Sequence, residues 1–66
     1  METFVVRAAQ AAFHRAGYNR EEALSRAQSL AARMLANLSI YQAEYGISDQ
    51  LELAYQMARR MATQRA

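Results

Sequence analysis

Residues 20–46, REEALSRAQSLAARMLANLSIYQAEYG, decide how this chain folds. Within them Leu24, Ala27, Ala31, Met34, Leu38, Tyr41 and Tyr45 recur at alternating spacings of three and four, the repeat of a continuous helical packing seam. In the middle, Leu30 to Ala36 is apolar over most of the helix circumference. Only Glu22, Arg26, Ser29, Arg33 and Asn37 form a narrow polar strip. A helix with so broad an apolar face needs neighbours on more than one side.

The limits of that helix are set by local signals. Asn19 stands where its side chain can cap the first backbone N–H groups, with Glu22 placed to complete a capping box and Tyr18 in the position of a hydrophobic staple. At the other end Gly46 marks a left-handed C-terminal stop, and Gly17 does the same for the preceding segment. With no proline and only two glycines in 66 residues, the segments between these marks are uninterrupted helix formers. The spacing therefore predicts an all-α, single-domain chain of three helices: helix 1 from Thr3 to Ala16, helix 2 over residues 20–45 and helix 3 over residues 49–64.

Helix 1 presents Val5, Ala8, Ala9, Ala12, Phe13 and Ala16 as its core face, widened by Phe4 and Ala11. Helix 3, with Ser48 as its expected cap and Asp49 in its first turn, presents Leu51, Ala54, Tyr55, Ala58, Met61 and Ala62. Acids fall in opening turns (Glu21, Glu22, Asp49, Glu52) and arginines toward closing ones (Arg15, Arg59, Arg60, Arg65), each favourable to the helix dipole.

Length mismatch points to self-association. At 1.5 Å per residue helix 2 would span about 39 Å against about 21 Å for helix 1 and 24 Å for helix 3. Short turns send helix 1 back along the first half of helix 2 and helix 3 back along the second, leaving each half with one intramolecular partner. A second copy supplies the rest, so a homodimer is expected. The alternative is a break near Asn37-Leu38-Ser39 that folds the chain into a compact monomer.

Composition narrows the function classes. There is no cysteine and a single histidine, which excludes disulfides and the usual Cys/His zinc sites. No apolar run approaches the roughly 20 residues of a membrane span. Thr3 to Arg20 carries Arg7, Arg15 and Arg20 without an acid, but it lacks the serines of a transit peptide. A cytoplasmic setting is expected. Eight basic residues, all arginine, against six acids leave a net charge of only +2, and the arginine- and alanine-rich usage suits a GC-rich bacterium or its phage.

The sequence shows no constellation for catalysis. His14 has no histidine or acid three or four positions away to share a metal, and its place at a helix end suits an interaction with the last carbonyls. Ser25, Ser29, Ser39 and Ser48 have no base nearby in sequence, and no glycine-rich phosphate loop is present. Glu44, Asp49 and Glu52 gather around the second turn, where helix-end roles account for them. Neither an enzyme nor a cofactor site is expected.

Binding is left. Gly46-Ile47-Ser48 between two helices has the form of a helix-turn-helix turn, but Gln42 stands where a small residue is needed and Glu52 where an apolar one is. Helix 1 opposes Phe4, Val5 and Phe13 to Arg7, Gln10 and His14, yet its alanine-rich face suits helix packing better than lipid. The expected function is a small helical protein–protein interaction module, a bacterial or phage regulator or inhibitor that binds a target protein and alters its activity or assembly. Leu53 and Met57, four apart outside the core stripe, are its first candidate contact residues, followed by Tyr41 and Tyr45. The alternative is a compact DNA- or RNA-binding regulator using helix 2, the turn and helix 3, with Arg7, Arg59, Arg60 and Arg65 meeting the phosphates.

Overall fold

Local chemistry terminates helices at both glycines. Gly17 (φ 110°) and Gly46 (φ 68°) take positive φ values open to a residue without Cβ. After Gly17 the chain closes a Schellman motif: the Gly17 N–H donates to the His14 carbonyl at 3.0 Å and the Tyr18 N–H to the Phe13 carbonyl at 3.2 Å. Phe13 and Tyr18, the pair that this motif brings together, meet edge to face with ring centroids 5.6 Å apart. Asn19 Oδ1 then accepts the Glu22 N–H at 2.8 Å. The capping box stays half-formed, because the Glu22 carboxylate turns to Arg26 at 3.0 Å.

The computed structural model describes residues 2–64 and contains four helices: α1 (Glu2–Arg15), α2 (Arg20–Ala36), α3 (Leu38–Tyr45) and α4 (Gln50–Thr63). The single helix expected over residues 20–45 is broken at Asn37. There φ −133° and ψ 42° leave the helical region, and the Asn37 N–H reaches only the Met34 carbonyl, three residues back. A straight continuation would reach about 39 Å, whereas the longest dimension of the molecule is 30 Å. The break turns Leu38, Tyr41 and Tyr45 back against the core, half-buried, where a straight helix would carry them beyond it. The three-four repeat cannot report such a break, since it runs in phase on both sides of Asn37.

Packing also corrects the expected centre. The helix that both α2 and α4 pack against most extensively is α1, while α3 touches α2 and α4 lightly. Fully buried Ala9 with nearly buried Ala12 lets neighbouring backbones approach α1 closely, and Val5, Phe13, Leu30, Met34 and Leu53 fill the space around them. Phe4 and Val5 share a cleft with the head of α4, and Ala12 and Ala16 share one with Tyr55 and Thr63 farther along it. Thus α1 and α4 run in the same direction, and α3 with its two junctions brings the chain back between antiparallel and parallel neighbours.

The α4 face is turned from the expected one. Ala54, Ala58 and Ala62 are buried as expected, but Leu53 and Met57 complete the core in place of Leu51 and Tyr55. Counting apolar positions missed what bulk decides: two long apolar side chains bury more area than Leu51 and a tyrosine that must keep its hydroxyl wet. Asp49, one residue later than expected, caps α4 by accepting from the Leu51 N–H at 2.9 Å, while the Ser48 carbonyl accepts from Gln42 Nε2 at 2.8 Å.

The broken helix removes the length mismatch from which a dimer was expected. The Cα radius of gyration is 10.7 Å, against about 10.8 Å for a compact domain of this length. The exposed surface is 4447 Å², close to the roughly 4,250 Å² of a self-contained chain of this mass. No helix among the described residues is long and apolar enough to cross a membrane.

Candidate functional site

Of the contact residues first expected on α4, Leu53 is wholly buried, and Met57, 4% exposed, lies at the floor of a cleft that it lines together with Tyr41 and Tyr45. Tyr41 and Tyr45 are half-buried on α3 and line a shallow cleft with Arg33, Glu44, Arg60 and Met61. The Arg60 guanidinium lies 5.5 Å from the Tyr45 ring centre, and Arg33 Nη2 donates to the Met61 sulfur at 3.7 Å. This cleft is braced from within by α4 and α2 side chains, which is how the small α3 is held.

The apolar groups that do face outward are Phe4 (59% exposed), Ile40 (63%), Leu51 (44%) and Leu24 (38%). Two of them meet. Phe4 from the start of α1 and Leu51 from the first turn of α4 line one cleft together with Val5, Ser48, Asp49 and Gln50. The parallel course of α1 and α4 creates it, because both helices begin at the same end of the molecule. Phe4 was expected to widen the core face of α1 and Leu51 to belong to that of α4. Leu24, expected in the helix 2 seam, instead rims a cleft with Thr3, Val6 and Arg7. No signal in one amphipathic helix tells which edge of a broad apolar face a neighbour will leave uncovered.

The arginines expected to act together line separate clefts. Arg7 lines a cleft with Gln10, Ala11, His14 and Arg20; Arg59 lines another with Arg15, Tyr55 and Thr63; Arg60 lies by Tyr45. Arg65 lies outside the described residues. Among the described residues the one ion pair is Arg26–Glu22, with Arg26 also 4.6 Å from the Tyr18 ring centre. Arg20, outside the basic set expected from the sequence, shares the Arg7 cleft.

His14 lies at the end of α1 as expected, but its partner is the Tyr18 carbonyl beyond the turn, 3.2 Å from Nδ1. Since a carbonyl only accepts, Nδ1 carries the hydrogen. Among the described residues no three histidine, aspartate or glutamate side chains come together to hold a metal ion.

The α3–Gly46–α4 segment has the order of a helix-turn-helix with an eight-residue first helix. Gln42, where close approach calls for a small residue, spans the turn to the Ser48 carbonyl, and Glu52 is exposed at the head of α4. An acidic head on the second helix opposes approach to phosphates. Comparison with models of known protein families, with curated proteins and with solved structures finds no significant match to this chain.

Proposed function

We propose that this chain is a small, non-enzymatic protein-interaction module that regulates a target protein by seating one of its apolar side chains in the cleft between Phe4 and Leu51. The observation that carries this reading is the pair itself. Two large apolar side chains, 59% and 44% exposed, converge from separate helices at one end of a chain whose other large apolar groups mostly pack inside. Holding them there costs solvation that folding does not recover, whereas a partner that covers them gains it.

Charge defines the partner further. Asp49 lines the cleft and Glu52 follows it in the first turn of α4, and neither has a cationic partner among the described residues. The fitting target segment is an apolar anchor flanked by lysine or arginine. A second copy of this chain is the competing occupant, and it makes the module a homodimer.

The test is capture from lysate of the native source, treated with nuclease and washed in 0.5 M salt, using the wild-type chain and a Phe4→Ser/Leu51→Ser variant. Both residues are exposed, so the variant folds. Losing two anchors at about 2 kcal/mol each weakens binding roughly 1,000-fold. A stoichiometric partner held by the wild type and lost by the variant supports the proposal. Equal capture by both overturns it, and light scattering that shows a dimer abolished by the variant assigns the cleft to self-association.

A further inference from the structure

From the outward face of α1 and the arginines beside it, we infer a second surface that binds double-stranded DNA. Among the described side chains of α1, those exposed are Thr3, Phe4, Arg7, Ala11, His14 and Arg15. Arg20, the first residue of α2, stands beside Arg7 and His14, and Arg59 of α4 stands beside Arg15. The cations therefore extend across three helices, with α1 in the middle.

Folding accounts for only some of them. His14 and Arg15 lie in the last turn of α1, where positive charge is favoured by the helix dipole. Arg7 is in the middle of a helix, Arg59 precedes the last turn of α4, and Arg20 occupies a helix N-terminus, where the dipole opposes it. Among the described residues none of the three is in an ion pair, and Glu22, near Arg20, is committed to Arg26. Like charges gathered at a cost to folding are explained by a polyanion that neutralises them.

The residue types select a duplex over a single strand. Single strands are held by a series of exposed aromatic platforms, and here Phe4, at the start of α1, is the one exposed aromatic of this face, while Phe13 and Tyr18 are buried and Tyr55 is half-buried. Arg7, Gln10, Ala11 and His14 form one stripe along α1, about 10.5 Å of helix rise. The α1 cylinder, about 10–12 Å across with its side chains, fits the roughly 12 Å wide B-DNA major groove, where glutamine meets base edges and alanine contacts thymine methyls. The deep, narrow major groove of an RNA duplex does not admit it. Arg7 and Arg15, with Arg20 and Arg59 on either side, then reach phosphates along the groove edges.

The test is fluorescence anisotropy with a labelled 20-base-pair DNA duplex, a matched RNA duplex, and phosphatidylserine-containing vesicles as the competing anionic surface. Four arginines on phosphates give a log–log salt slope of about −3.6, a loss of about 150-fold in affinity from 50 to 200 mM salt. Arg7→Gln/Arg20→Gln halves the slope to about −1.8, and Arg33→Gln, on another face, leaves it unchanged. If circular dichroism shows the first pair unfolded, Arg15→Gln/Arg59→Gln gives the same expected halving. No binding to DNA at 50 mM salt, an unchanged slope in the folded variant, or equal or tighter binding to RNA or vesicles overturns the inference. Leu51→Ser, on α4 and outside this face, retains DNA binding, so this surface and the apolar cleft stand or fall separately.

Discussion

At the junction before α2 the chain fastens itself through Gly17, two Schellman hydrogen bonds, the Phe13–Tyr18 ring contact, the His14–Tyr18 bond and the Asn19 cap. At the junction after it, Asn37 has one N–H bond to Met34 and offers no side-chain cap to α3. The first turn is written into neighbouring residues and would form in a short peptide's worth of chain. The second exists because Leu38, Tyr41 and Tyr45 have a core to return to. Breaking the two junctions should therefore have unequal consequences. Phe13→Ala removes a side chain that is 1% exposed, costing about 3–5 kcal/mol through the cavity and the lost Tyr18 contact. In a chain this small that approaches the whole stability, so urea unfolding followed by circular dichroism should show a variant largely unfolded in water.

The two glycines sharpen the comparison because space is not at issue at either: a Cβ at Gly17 or Gly46 would meet nothing within 4 Å. The cost of Gly→Ala is then backbone strain alone. At Gly46, φ 68° lies in the left-handed helical region that alanine tolerates, whereas φ 110° at Gly17 lies outside it. Gly17→Ala should cost about 2 kcal/mol and Gly46→Ala about 1, after the smaller unfolded-state entropy of alanine is counted. Equal urea midpoints for the two variants would show that the Gly17 turn relaxes, and that the aromatic pair rather than the glycine fixes it.

What was legible in the sequence follows the same division. Both glycine stops, the Asn19 cap and the all-helical class depend on contacts within a few residues, and the sequence spells those out. The break at Asn37, the parallel course of α4 beside α1, and the burial of Leu53 and Met57 in place of Leu51 depend on which helices meet. An amphipathic stripe records that a face is buried, not against what. The candidate surfaces suffered most from this. Phe4 and Leu51 look like core residues until the α1–α4 pairing leaves them at its open end. Arg20 looks like an ordinary helix-opening residue until α1 places Arg7 and His14 beside it. Alanine-rich faces aggravate the ambiguity, since Ala54, Ala58 and Ala62 fit either orientation of α4 and leave the decision to a few larger neighbours.

Asn37→Ala is the substitution with the smallest expected effect and the one most informative about the second junction. Alanine gains about 0.6 kcal/mol of helix propensity at a continuous α2–α3, and removes no side-chain hydrogen bond, since none is made at α3. Against that gain stands the burial that Leu38, Tyr41 and Tyr45 would lose if the helix straightened. Even half-burial of three large side chains is worth about 3 kcal/mol, so the bend should persist and the stability should change by no more than about 0.5 kcal/mol. Spin labels at Ser29 and Glu44, both exposed, read the outcome directly. In a continuous helix their backbone positions would be about 22 Å apart, and a bend at Asn37 brings them closer. A variant distance matching the wild type places the cause of the bend in tertiary packing. A lengthening to the straight-helix value would mean that asparagine itself turns the chain, and that the second junction is as locally determined as the first.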